Sequence, residues 1–319
     1  MASRAIVNPK SGGKRTAKRW PEVQAALQGV LPDLDVVQTS GPGDATRLAR
    51  EALHDGVTTI VGVGGNGTIN EIVNGFFDES GHAINPDAEI AIMMIGTGGD
   101  FRRSFGIGPT WQDCLERIAS GKTRMIDLGR IELTGKGGDP VVRWFDNIAS
   151  FGVSGAIVHA VNAANLTKML GGTFAYKRAT VTSLMRYRTR PVRIRVDDIF
   201  DEVVDLTFGA VCNGRFFGGG MCVAPMAELD DGLLDLVVAE GMGTIDFVRH
   251  SGRFYAGEHI GSKGIHHVRG RRIIVEPVDE PVDEPVDDGI ATLLDVDGEA
   301  PGRLPATFEV RAAALRVRA

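Results

Sequence analysis

Glycines, amides and hydroxyls are concentrated in one stretch of the chain, Gly62-Val63-Gly64-Gly65-Asn66-Gly67-Thr68-Ile69-Asn70-Glu71. The chemistry such a stretch can do is to hold phosphate. Gly64, Gly65 and Gly67 carry no Cβ where the backbone turns sharply, so N–H groups stand bare at a helix N-terminus, where the partial positive charge favours an anion. A ligand-free connection between a strand and a helix would use the same glycines, so the turn alone leaves both readings open. The flanks say which elements hold it. An apolar, β-branched run ends at Val63, and Ile69, Ile72, Val73 and Phe76 then recur at the spacing of one helix face. The stretch therefore reads as strand, turn, helix.

Three further turns share this chemistry. A short strand over 4–7 ends at Asn8-Pro9-Lys10-Ser11-Gly12-Gly13 and runs into a basic helix. There Lys10, Lys14 and Arg15 stand either as phosphate contacts or as a solvated face. A strand over 34–38 ends at Thr39-Ser40-Gly41-Pro42-Gly43, before a helix whose expected cap is Asp44. A strand over 89–95 stops at Gly96-Thr97-Gly98-Gly99-Asp100. Strands alternating with helices predict a doubly wound parallel sheet, in which ligands collect at the carboxyl ends of the strands. The loops at Asn8, Thr39, Gly64 and Gly96 are then expected to converge.

At 319 residues the chain exceeds the size at which one core keeps growing. Two domains are expected, an α/β domain over 1–126 and a mostly antiparallel β domain over 127–319, with the active site in the cleft between them. From Asp127 onward alternating or β-branched runs dominate, interrupted by helical stretches near 156–170 and 173–188. Prolines at every fourth residue from Pro277 to Pro285 exclude a regular helix and predict an exposed extended loop between two strands. A net charge of −6 argues against a nucleic-acid partner. Cys114, Cys212 and Cys222 are scattered, which suits a reducing cytoplasm rather than a disulfide framework. With no signal peptide and no apolar run long enough to span a bilayer, the chain is expected to meet a membrane only at its surface.

The segments NPKSGG, GGNGTINEIVNGF and GTGGDFRRSFGI, in this order, resemble the catalytic domain of the diacylglycerol kinase family, whose usual forms are NPxSG, GGDGTxNE and GTxND. The resemblance continues through CNGRFFGGGMCVAPMAELDDGLLDLVV and LLDVDGE. It implies ATP and magnesium as cofactors, a lipid hydroxyl at the bilayer surface as acceptor, and a cytoplasmic protein at the inner face of the membrane, with a homodimer left open. By the same resemblance, the phosphates would be cradled by Asn8, Ser11, Gly12, Thr39, Gly65, Asn66, Gly67, Thr68, Asn70, Glu71 and Thr97. Glu299 would take the hydroxyl proton, Asn66 and Asp100 would stand at the chemistry, and magnesium would sit on the Asp231 carboxylate with the backbone carbonyls of Glu228 and Leu233.

Two positions depart from the family pattern. Asn66 stands where the family has aspartate, and an amide neither takes a proton usefully nor neutralises a cation. Gly99 replaces the asparagine of GTxND. A nucleotide- or lipid-binding protein with little transfer activity, and a soluble-substrate kinase of the NAD kinase type, are the alternative readings.

Overall fold

The computed structural model describes residues 2–95, 99–155, 189–243, 246, 252–278 and 292–319. The expected helices near 156–170 and 173–188, Thr97, and most of the proline repeat lie outside these residues.

The first half is built from β1 (Ser3–Val7), α1 (Ser11–Val30), β2 (Leu34–Gln38), α2 (Asp44–His54), β3 (Thr59–Gly64), α3 (Asn66–Gly75) and β4 (Glu89–Met94). The strands pair in parallel in the order β4-β3-β1-β2, as the alternation of elements predicts. β3 and β4 are buried along their whole length, which explains why they read as continuous apolar runs rather than alternating ones. Leu27, Ala49, Ile69, Ile72 and Val73 bring α1, α2 and α3 onto this sheet. Each fully buried Leu or Ile contributes roughly 1.5–3 kcal/mol. Short helices α4 (Asp100–Ser104) and α5 (Trp111–Ser120) follow, the second opened by a reciprocal cap between Thr110 and Asp113.

The second half is antiparallel: β5 (Thr123–Gly135), β6 (Pro140–Phe145), β7 (Ile148–Gly152), β8 (Arg190–Val196), β9 (Phe200–Cys212), β10 (Phe216–Phe217), β11 (Met221–Cys222), β12 (Leu234–Glu240), β13 (Ile265–Gly270), β14 (Arg272–Pro277), β15 (Leu294–Val296) and β16 (Gly302–Arg318). Phe145, Phe151 and Phe308 form the centre of its core, with ring centroids 6.2–6.4 Å apart around Phe308. The two halves share one continuous sheet, because β16 pairs antiparallel with β5 and then parallel with β4 through Arg316–Arg318. Leu315 and Val317 accordingly pack in the core of the first half. A cut at residue 126 would fall inside β5, and the chain's last strand returns across it.

Candidate active site

The ends of β1, β2, β3 and β4 lie together. Asn8 N donates to Val63 O at 2.9 Å, Thr39 N to Val7 O at 2.9 Å, and Ile95 N to Gly64 O at 3.2 Å. Side chains tie the same loops. The Asn8 amide donates to Thr68 Oγ1 at 3.0 Å, Ser11 Oγ donates to Asn8 O at 2.9 Å and lies 2.5 Å from Thr16 Oγ1, and Lys10 Nζ donates to Ser40 O at 3.0 Å. Gly12, Gly13 and Lys14 all take left-handed backbone angles before α1 becomes regular, and Lys14 is the one there whose side chain disfavours that region.

The glycines of the α3 turn serve two different ends. A Cβ on Gly64 would run into the Thr68 side chain, so packing alone demands glycine there. Gly65 has an ordinary extended backbone, and a Cβ on either Gly65 or Gly67 would meet nothing within 4 Å among the described residues. Neither conformation nor packing requires glycine at these two positions, and a glycine in a helix costs about 0.5–1 kcal/mol against alanine. The space in front of them is open. Beside them Asn66 Oδ1 is buried without a hydrogen-bond partner among the described residues.

One turn further along α3, Asn70 faces the second half of the chain and Glu71 faces the start of α2. The Asn70 amide is buried and donates to Trp144 O at 3.0 Å, Asp146 Oδ1 at 3.2 Å and Asp297 Oδ2 at 2.8 Å. Its amide nitrogen is engaged across the seam. The Glu71 carboxylate accepts from Gly43 N at 2.9 Å and Ala45 N at 3.1 Å. It caps the start of α2, where an anion is favoured by the unpaired N–H groups. Asp44, the expected cap, instead accepts from Ser40 and pairs with Arg47. Asn74 extends the seam by exchanging hydrogen bonds with the backbone of Trp144 at 2.9 Å in each direction.

Around this seam lies a cavity of about 350 Å³ lined in part by Thr46, Glu71, Asn74, Arg143, Trp144 and Glu299. Glu299 sits in a turn after β15 closed by Glu299 N to Val296 O at 3.0 Å and Val296 N to Glu299 O at 2.8 Å. Its side chain reaches solvent at the cavity mouth. Protein crowds the carboxyl from the other sides and, with the nearby Glu71 charge, raises it above the usual glutamate range against the pull of Arg143. Asp100 is buried at the start of α4, with Oδ2 accepting from Gly219 N at 2.9 Å and Oδ1 3.8 Å from Arg103 Nε. Three buried acids lie behind Glu299. Burial pushes Asp295 up to about 8. It raises Asp297 as well, and it raises Asp146 further, with the neighbouring Asp297 charge as a second cause.

At the turn expected to hold magnesium, the carboxylates meet protein partners. The Asp231 carboxylate meets the Arg269 guanidinium and accepts from Leu233 N at 3.0 Å, and neighbouring Asp230 pairs with Arg124 at 2.5 Å. Asp127, behind the same turn, accepts from Gly232 N and Ala313 N. Each of these carboxylates has a protein partner.

Asp146, Asp295, Trp144 and Arg143 were not anticipated. Their signal in the sequence is slight: Asp146-Asn147 interrupts an otherwise apolar run between two strands, which reads as an ordinary hairpin turn. Only the fold shows that this turn faces α3.

Comparison with known proteins follows the same division of the chain. Residues 3–131 match the diacylglycerol kinase catalytic domain and residues 147–319 the YegS C-terminal NAD kinase beta sandwich-like domain. The chain is 28% identical over 315 residues to the diacylglycerol kinase of Mycobacterium tuberculosis, covering 98% of this chain and 93% of that one. It is 29% identical over 310 residues to the diacylglycerol kinase of Bacillus subtilis, covering 96% and 92%. A crystal structure of a diacylglycerol kinase from Bacillus anthracis superposes with a TM-score of 0.69 at 22% identity, covering 99% of this chain and 96% of that one. Yeast NADH kinase bound to NADH shares the fold more distantly, with a TM-score of 0.53 at 13% identity, covering 99% and 78%. Among the described residues no helix is long and apolar enough to cross a membrane. With both of its halves matched in order, the chain belongs to the diacylglycerol kinase catalytic-domain family, carrying the YegS-type C-terminal domain.

Proposed function

We propose that the protein is an ATP-dependent lipid kinase that moves the γ-phosphoryl group to the hydroxyl of a diacylglycerol- or sphingolipid-like acceptor at the inner face of the membrane. The observation that carries this reading is the open space in front of Gly65 and Gly67, at the meeting point of four parallel strand ends and on the same helix as the cavity that holds Glu299. Bare amides at the start of α3 donate to phosphate oxygens, which neutral backbone can do without a cationic side chain. The Asn66 side chain offers an unpaired oxygen there rather than a charge. Asp100, held by Gly219 and Arg103, supplies a fixed carboxylate at the neighbouring strand end. Glu299 takes the proton of the acceptor hydroxyl as the new O–P bond forms and the bond to the departing ADP oxygen breaks. Thr97, whose hydroxyl the family pattern assigns to the phosphates, completes the set by resemblance.

Two substitutions test this. Gly67→Ala is expected to leave the thermal midpoint unchanged or slightly raised, by up to about 1 kcal/mol of helix stability. Its Cβ fills the open space, so ATP affinity measured by calorimetry is expected to fall by about tenfold. An unchanged ATP affinity would place the nucleotide elsewhere. Asn66→Asp restores the charge that the amide lacks, and transfer of label from ATP to extracted lipids is expected to rise by about tenfold or more. Negligible transfer by both proteins favours the second reading, a nucleotide- or lipid-binding protein on a kinase fold, which Asn66 itself motivates.

A further inference from the structure

Asp146, just beyond β6, and Asp297, just beyond β15, are both buried in the seam, and one amide nitrogen, Asn70 Nδ2, lies within hydrogen-bond distance of an oxygen of each, 3.2 Å from Asp146 Oδ1 and 2.8 Å from Asp297 Oδ2. They are unequally supported. Asp297 collects the backbone N–H groups of Ile148 at 2.8 Å, Asp146 at 2.9 Å and Asn147 at 3.4 Å, together with the Asn70 amide at 2.8 Å. Asp146 has the same Asn70 amide at 3.2 Å. Among the described residues, no lysine, arginine or histidine forms an ion pair with either. Two carboxyl groups that share one amide donor, buried with no cation paired to either, are not both ionised. The proton goes where the charge is less well stabilised, which is Asp146, and the better supported Asp297 keeps the negative charge.

We propose that Asp146 is a positioning residue, a neutral carboxylic acid that donates its proton in a hydrogen bond to the Asp297 carboxylate and, with Asn70, locks the turn carrying Glu299 onto helix α3. Asp297 stands two residues before Glu299 in that turn, and Asp297 N donates to Ile148 O at 3.0 Å. Asn70 comes from the first half of the chain and both acids from the second, so the lock crosses the seam over which the nucleotide turn and Glu299 must be held in register. The part of this inference that concerns catalysis rests on the lipid-kinase reading; the location of the proton does not.

Infrared difference spectroscopy at neutral pH, with hydrogen exchange at the Gly298 and Glu299 amides and transfer kinetics, separates the outcomes. Against wild type, Asp146→Asn is expected to lose one protonated-carboxyl band, while Asp295→Asn loses a different one. The asparagine amide still donates to Asp297, so exchange at the two amides stays within about threefold of wild type. Asp146→Ala removes the donor: exchange there rises about tenfold or more, and kcat falls about tenfold with the KM for ATP within about twofold. Asn at position 146 rescues most of what Ala loses, which a purely space-filling role does not predict. An infrared spectrum of Asp146→Asn identical to wild type overturns the inference, as does an Asn variant as impaired as Ala. Should Asp146→Ala fail to fold, the infrared comparison of wild type with Asp146→Asn decides alone. A wild-type protein that transfers no label to lipid counts against the kinase reading and leaves the infrared and exchange results to judge Asp146.

Discussion

Glu299→Gln is expected to lower phosphoryl transfer by roughly 10²–10⁴-fold, the range lost when a positioned general base is removed. Glutamine keeps the size of the side chain and can still accept a hydrogen bond, but it cannot take the hydroxyl proton. The turn is closed by backbone hydrogen bonds between Val296 and Glu299, which the substitution leaves in place. The loss should therefore fall on kcat, with the KM for ATP changed by no more than about threefold. The pH dependence carries a sign. Glu299 works as a base only when ionised, and cleft crowding with the Glu71 charge raises its carboxyl above the ordinary glutamate range. Transfer should therefore be lost as pH falls through that raised value and reach a plateau above it, and the Gln variant should show no such limb. Initial rates with ATP and dispersed lipid between pH 5 and 9 decide it. A Gln variant retaining more than about a tenth of the wild-type rate would remove Glu299 from the proton transfer.

How far the sequence could be read depends on the range of the interaction. The β3 turn was legible because its determinants are neighbours: Gly64 must lack a Cβ for Thr68, four residues on, and Ile69, Ile72 and Val73 place α3 by spacing alone. The parallel sheet followed from the alternation of elements. What escaped is set by pairs far apart in the chain. Glu71 looked like part of a phosphate motif, but its carboxylate caps α2 from 28 positions away along the chain. Asn70 is occupied by Asp297, 227 positions distant, and no local pattern announces that. The Asp231 turn matched a metal pattern in sequence, while the pairing of its carboxylate with Arg269, 38 positions on, is visible only in the fold. The return of β16 to β4 was hidden for a related reason. An alternating C-terminal strand says that one face is buried, not which half of the chain buries it.

The buried acids behind Glu299 give the second large effect, an expected gain of stability on removing a charge site. The Asp295 carboxyl is pushed up to about 8 by burial, against an ordinary 3.8 in the unfolded chain. Between these values the unfolded chain has released the proton and the folded chain still holds it. Stability therefore falls as pH rises from about 4 to 8 and is flat above, by an amount on the order of 5 kcal/mol at 1.36 kcal/mol for each pH unit. Asn at this position removes the titration while keeping the local bonds: its oxygen can accept from Gly298 N, as Asp295 Oδ1 does at 2.8 Å, and its amide can face Ser150 Oγ. Asp295→Asn is thus expected to match wild type near pH 4 and to exceed it by roughly 3–6 kcal/mol at pH 8 and above, measured as urea midpoints at matched pH. Asp146 and Asp297 are present in both proteins, so the difference between the two curves reports Asp295 together with its interaction with the Asp297 charge. Charge at Asp295 would also sit two residues from the Asp297 carboxylate, within the turn that presents Glu299. If the curves of the two proteins run parallel from pH 4 to 9, Asp295 is already ionised in the fold, and the turn must tolerate adjacent buried charges rather than depend on their neutralisation.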